Sequence, residues 1–100
     1  MDYNLIIDKT LINTTTTGGT AAITAKKVGN GSTTILTQNV SNEVKLYIGE
    51  TPIDDDTNWS VGYEKGDTDP ISITLKISVD NGESWLDWDK ETIEFVANGT

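Results

Sequence analysis

Apolar and polar residues alternate along this chain with a period of two, and no stretch sustains the 3.6-residue apolar period of a helix. The pattern is sharpest at residues 71–79, where Ile71, Ile73, Leu75, Ile77 and Val79 share one face and Ser72, Thr74, Lys76 and Ser78 the other. That spacing predicts a strand with one buried face. Pro70 stands at its start, where a missing N–H does least harm. Asp80-Asn81-Gly82 follows, and Asn-Gly favours a tight hairpin turn because both residues tolerate positive φ. Residues 83–88 then return as the partner strand. The hairpin over 71–88 is the best-defined element, and its apolar face is the expected centre of the core.

Weaker strand signals flank it. Residues 3–8 open the chain, and residues 20–28 carry alternating small apolar side chains up to the turn Gly29-Asn30-Gly31-Ser32. Residues 33–40 and 44–48 are divided by a Ser-Asn-Glu turn. Residues 57–63 place Trp59, Val61 and Tyr63 on one face, and 91–97 turn Ile93 and Phe95 inward. Residues 13–19 read as a polar loop and 49–57 as a long acidic connection between sheets. Seven to eight short antiparallel strands with turns every ~8–12 residues predict an all-β sandwich, formed as one domain over residues 1–100.

Composition qualifies this picture in two ways. Hydrophobic residues make up 35% of the chain, below the usual ~45–50%, yet they are clustered and alternating, so folding remains the better expectation than disorder. Cysteine is absent, so no disulfide can reinforce a modest core, and multiple copies or docking on a larger body would stabilise it by mass action. The N-terminus lacks the basic and apolar regions of a signal peptide and reads as a native start. No segment approaches a membrane span.

Charge is uneven. Residues 1–50 hold Asp2, Asp8, Glu43 and Glu50 against Lys9, Lys26, Lys27 and Lys45, so they are net zero. The whole formal charge of −9 therefore lies in residues 51–100. With no arginine and few lysines, the chain is a poor partner for nucleic acid or an anionic membrane. Acidity of this kind keeps copies soluble and mutually repelling.

Histidine and cysteine are also absent, which excludes Ser-His-Asp and Cys-His chemistry and histidine zinc sites. The remaining carboxylates (Asp54, Asp55, Asp56, Asp67, Asp69, Asp80, Asp87 and Asp89) sit in turn-like, polar contexts, and nothing suggests the buried setting that acid catalysis calls for. The expectation is a non-enzymatic protein with no cofactor and no metal. The Asp pairs and triplet do not match a calcium-binding EF-hand loop and read as turn formers.

Binding chemistry points to the aromatic residues. Trp85 and Trp88 are separated by an odd number of positions, so ideal alternation cannot bury both. One of them is exposed, or a bulge intervenes. Trp85, Trp88 and Trp59 form the candidate binding surface, with core packing expected for at least two of the three. Five Asn-x-Ser/Thr triplets, at Asn13, Asn30, Asn39, Asn58 and Asn98, arise readily in a chain this rich in Thr and Asn.

Two resemblances add to this. The segment Ser78-Val79-Asp80-Asn81-Gly82-Glu83-Ser84-Trp85 resembles the Asp-box of sialidases and related propellers, in which the box is a peripheral structural element. A propeller repeats it over several blades, and this chain carries one copy. The whole chain, with its Met1, lack of Cys and His, and acidic Thr/Asn/Asp/Gly-rich surface, resembles small Ig-like decoration or auxiliary capsid proteins of tailed bacteriophages. The immunoglobulin disulfide is missing. This resemblance implies an Ig-like sandwich made in the host cytoplasm and carried in several copies on the virion surface. Its partners would be the major capsid protein and other copies of itself, and the neutral N-terminal half would be the docking side. The alternative is a carbohydrate-binding or adhesive Ig-like module that grips glycans with an exposed tryptophan.

Overall fold

The computed structural model describes residues 1–98, and within them every regular element is a strand. There are nine: β1 (Asp2–Ile7), β2 (Leu11–Asn13), β3 (Gly19–Gly29), β4 (Ser32–Leu36), β5 (Val44–Ile48), β6 (Thr51–Pro52), β7 (Ser60–Tyr63), β8 (Ile71–Ile77) and β9 (Leu86–Val96). They form two sheets. One has the order β1-β3-β4, with β7 pairing the first part of β3; the other runs β2-β9-β8-β5-β6. The all-β sandwich expected from the sequence is therefore present.

Alternation explains which side of each strand is buried. Val44 and Leu46 of β5, Ile73, Leu75 and Ile77 of β8, and Ile93 and Phe95 of β9 meet Tyr3, Leu5, Ile23, Ala25 and Val61 of the opposite sheet. Each large aliphatic side chain so enclosed contributes roughly 1.5–3 kcal/mol. Trp59 fills the same core just ahead of β7.

Several expectations are corrected. Residues 83–88 and 91–97 are not separate strands: β9 is one strand from Leu86 to Val96, pairing β8 from Leu86 to Ile93 and β2 from Glu94 to Val96. The hairpin loop is longer than a two-residue turn, because the last pair is Ile77 with Leu86. Val79 leaves the core and is 76% exposed, since Ser78 already belongs to the turn. The expected loops also contain short strands: Asn13 ends β2, and Thr51–Pro52 forms β6. β2 pairs with β9 in parallel, so the second sheet is mixed rather than wholly antiparallel.

β8 and β9 slip register between Leu75 and Lys76. Leu75 faces Asp89 and Lys76 faces Asp87, which leaves Trp88 as the extra residue. A bulge of this kind re-aims the side chains around it. Trp88 and Asp89 are thereby directed at the edge of β1.

Candidate functional site

The three tryptophans do not form one surface. Trp59 is 2% exposed and donates its indole N–H to Asn39 Oδ1 at 2.8 Å. The same oxygen accepts from Leu46 N at 3.0 Å, and the Asn39 amide donates to Ile53 O at 2.7 Å and Asp55 Oδ1 at 3.0 Å. Asn39 thus ties the core tryptophan to β5 and to the acidic loop. Trp85 is half-buried at the end of the hairpin loop, with Lys45 Nζ 5.0 Å from its ring centroid. Trp88 is 39% exposed. The expectation that at least two tryptophans are core residues is corrected: Trp59 alone is buried.

Trp88 instead works as a clamp. Its ring meets Tyr3 edge-on at 5.8 Å, and its N–H donates to Tyr3 O at 3.1 Å. Asp89 beside it accepts from Leu5 N at 2.8 Å. In an antiparallel pair the backbone groups of alternate residues point to opposite edges, and Tyr3 and Leu5 are, with Ile7, the residues of β1 that point away from β3. Side chains from the bulge therefore occupy the open edge of the first sheet.

A polar triad adjoins this clamp. Tyr3 donates its hydroxyl to Glu43 Oε2 at 2.8 Å, and Lys27 Nζ forms an ion pair with the same oxygen. Burial alone would raise the Glu43 carboxyl, but the hydrogen bonds from Lys27 and Tyr3, with the lysine charge, outweigh it and hold the pKa below its ordinary 4.5. Desolvation, then the hydrogen bond and charge of Glu43, push Tyr3 up to about 12. The signs set a window. A depressed carboxyl stabilises the fold above its unfolded pKa and loses that contribution as pH falls through the folded value; a raised tyrosine stabilises below pH 10.0 and loses its contribution as pH climbs toward 12. Unfolding free energies of wild type and Glu43→Gln from urea titration are expected to differ by about 1 kcal/mol at neutral pH, the pair being partly exposed, and the difference to shrink as pH falls below the ordinary 4.5 and through the lowered value. A gap that persists in acid would mean the carboxylate is not the stabilising species.

The Asp-box segment is a locally stitched turn. Ser78 Oγ donates to Asp80 Oδ1 at 2.8 Å and accepts from Gly82 N at 2.7 Å, while Ser84 N donates to Asp80 Oδ1 at 2.8 Å. The Ser84 hydroxyl, the Ser84 backbone and the Ser78 hydroxyl together lower the Asp80 pKa to about 2. Asn81 and Gly82 both take positive φ, 62° and 91°, as the Asn-Gly signal predicts. A Cβ at Gly82 would fall 2.5 Å from Asn42 Oδ1, a side-chain end that can give way, so the positive φ is what holds this position to glycine.

Two open faces remain. The outer face of the β5-β8-β9 sheet carries a shallow groove of about 400 Å³, lined in part by Tyr47, Thr74, Lys76, Asp87 and Lys90. Lys76 lies 4.5 Å from the Tyr47 ring centroid and 3.3 Å from Asp87. The outer face of β1-β3-β4 is of different character. Its rows are Ile6 with Thr24, then Asn4, Lys26 and Ile35, then Asp2, Val28 and Thr33. Asp2 and Lys26 cancel, so this face is neutral, and it exposes Ile6 at 38%, Val28 at 38% and Ile35 at 54%.

The acidic positions are largely structural or solvated. Asp67 accepts from Glu64 N at 2.8 Å and Asp55 from Asn39. Among the described residues, no three His, Cys, Asp or Glu side chains converge as a metal cluster would. The structural roles of Asn39, Glu43, Lys27 and Asp89 have no local signature, because each acts through partners distant along the chain. Asn39 carried one local signal, its glycosylation triplet, and that signal misleads because the amide is fully engaged within the fold.

Fold and geometry together define an all-β sandwich whose polar clusters hold its own edges and turns. No known protein-family model matches the chain, and no curated protein or solved structure matches it either.

Proposed function

We propose that the chain is a non-enzymatic structural protein of a bacteriophage virion, an auxiliary capsid protein that docks on the major capsid protein through the outer face of β1-β3-β4. The observation that carries this reading is the contrast between that face and the rest of the molecule. In a chain of net charge −9 it is neutral and presents Ile6, Val28 and Ile35 to solvent. Burying it desolvates few charges, while the acidic half stays in water and keeps the protein soluble. The resemblance to phage decoration proteins supplies the setting. The chemistry also favours a binding role: the two carboxylates with shifted pKa values, Glu43 and Asp80, are both lowered, whereas a general acid at neutral pH needs a raised one.

The test is co-sedimentation with expanded capsid shells. Wild type is expected to bind at fixed stoichiometry, Val28→Asp to lose at least about tenfold in affinity, roughly 1.4 kcal/mol, and Asp54→Lys with Asp55→Lys and Asp56→Lys to bind as wild type. A chain that ignores shells, or one whose binding is abolished by the lysine substitutions alone, would overturn the reading.

The second reading, a glycan-binding module, draws on Tyr47 and Trp85 at the other sheet. It ranks lower because Lys76 and Lys45 already lie over those rings, on surfaces a sugar would stack against. Retention on a glycan array that Trp85→Ala abolishes would promote it.

A further inference from the structure

An edge strand presents unpaired N–H and C=O groups that template the pairing of another strand, and folded proteins normally blunt such edges. This sandwich does so at four places. β1 is clamped by Trp88 and Asp89. β2 has three residues and β6 two, one of them Pro52. β7 is four residues long, carries Gly62 inside it, and runs into Glu64 and Lys65.

β4 has none of these devices. Its sequence, Ser32-Thr33-Thr34-Ile35-Leu36, contains no charge, no proline and no glycine, and among the described residues it pairs only with β3, without a bulge. Its first four residues are exposed. The free groups can be assigned. Asn30 and Gly31 take positive φ, 54° and 76°, between the paired residues Gly29 and Ser32. In a two-residue hairpin of this type the flanking pair is hydrogen-bonded, so Ser32, Thr34 and Leu36 bond to β3. Thr33 and Ile35 aim their N–H and C=O groups away from the molecule.

We propose that this edge pairs with β4 of a second copy, antiparallel about a two-fold axis at Thr34. Thr33 of each copy then faces Ile35 of the other, and both backbone bonds of each pair form. The facing side chains are β-branched, a favourable cross-strand combination. Self-pairing is also the choice the charges allow. An uncharged strand places no like charges opposite each other, although the chain as a whole would repel its copy. A two-fold contact is closed, and with the other edges blunted, assembly stops at the dimer. The contact is small against the roughly 1,600 Å² of a standard interface, so it forms at high concentration or where copies are already held side by side. The result is one continuous sheet, which doubles the neutral outer face bearing Ile6, Val28 and Ile35.

Sedimentation velocity on the full chain, alone and from about 10 µM to 1 mM, tests this without reference to capsids. Its failure is therefore distinct from failure of the docking reading. Wild-type weight-average mass is expected to rise from 10.9 kDa toward twice that value. Thr33→Pro removes an edge N–H that β3 does not use and is expected to hold the mass at the monomer value with an unchanged circular dichroism spectrum. Should that variant unfold, Ile35→Lys provides the same block. In wild type the amides of Thr33 and Ile35 are expected to exchange at least tenfold more slowly at 1 mM than at 10 µM. A chain that stays monomeric throughout, or a dimer that both substitutions leave intact, overturns the proposal. Protection of those two amides in a monomeric chain only when shell protein is added would also overturn it, in favour of a foreign strand.

Discussion

Trp59→Ala is expected to lower stability by about 3–5 kcal/mol, the usual cost of emptying an aromatic site in a core. A domain of this size holds only about 5–15 kcal/mol in total, so the urea midpoint is expected to fall by roughly 2–4 M at typical slopes. The size of the effect follows from position. Trp59 is nearly sealed between the sheets, its backbone bonds Thr37 and Ile23, and its indole N–H is answered by Asn39. Trp59→Phe keeps most of the volume and loses the hydrogen bond, so about 1–3 kcal/mol is expected. Asn39→Ala strands both the indole N–H and Leu46 N, and a double-mutant cycle with Trp59→Phe is expected to show coupling of about 0.5–3 kcal/mol. Strict additivity would mean the two residues act separately. A midpoint within about 0.5 M of wild type for Trp59→Ala would show that the ring is not the core element described above.

Trp59 also shows what a period-two pattern can and cannot reveal. Its shared face with Val61 and Tyr63 was readable, because alternation is a local property of the strand. The partner of its N–H was not, since Asn39 lies twenty positions away in a segment whose own pattern suggested only a continuing strand. The β8 face was legible from Ile71 to Ile77 and failed at Val79, where the Ser78 hydroxyl begins to bond the turn and the strand can no longer alternate. The odd spacing of Trp85 and Trp88 did announce an exposed ring or a bulge. It could not announce that the bulge serves β1, because Trp88 reaches a backbone oxygen eighty-five positions away. The apolar side chains of the docking face were visible one at a time. Their gathering on one neutral face depends on the pairing of β1, β3 and β4, which no single segment encodes.

Trp88→Ala combined with Asp89→Ala is expected to do more than weaken the fold. The ring is partly exposed, so its loss is worth about 2–3 kcal/mol, less than a sealed aromatic, and removing the carboxylate deprives Leu5 N of its acceptor at about 1–3 kcal/mol. In wild type, among the described residues, β4 is the edge strand without charge, proline, glycine or clamp, and pairing through it closes at two copies. The double variant has a second, at β1, and a molecule with two open edges can pass strands on to further copies without closure. Concentrating the double variant is therefore expected to drive assembly past the dimer, seen as growing scattered light and thioflavin fluorescence. Adding Thr33→Pro is expected to return growth to a limit of two, through β1 alone. Trp88→Phe alone retains the ring against Tyr3 and the Asp89 bond, and it is expected to remain at the wild-type limit. If the double variant is destabilised yet assembles no further than wild type, Trp88 and Asp89 contribute packing and hydrogen bonding but do not guard an edge, and the distinction between β1 and β4 on which strand pairing depends falls with them.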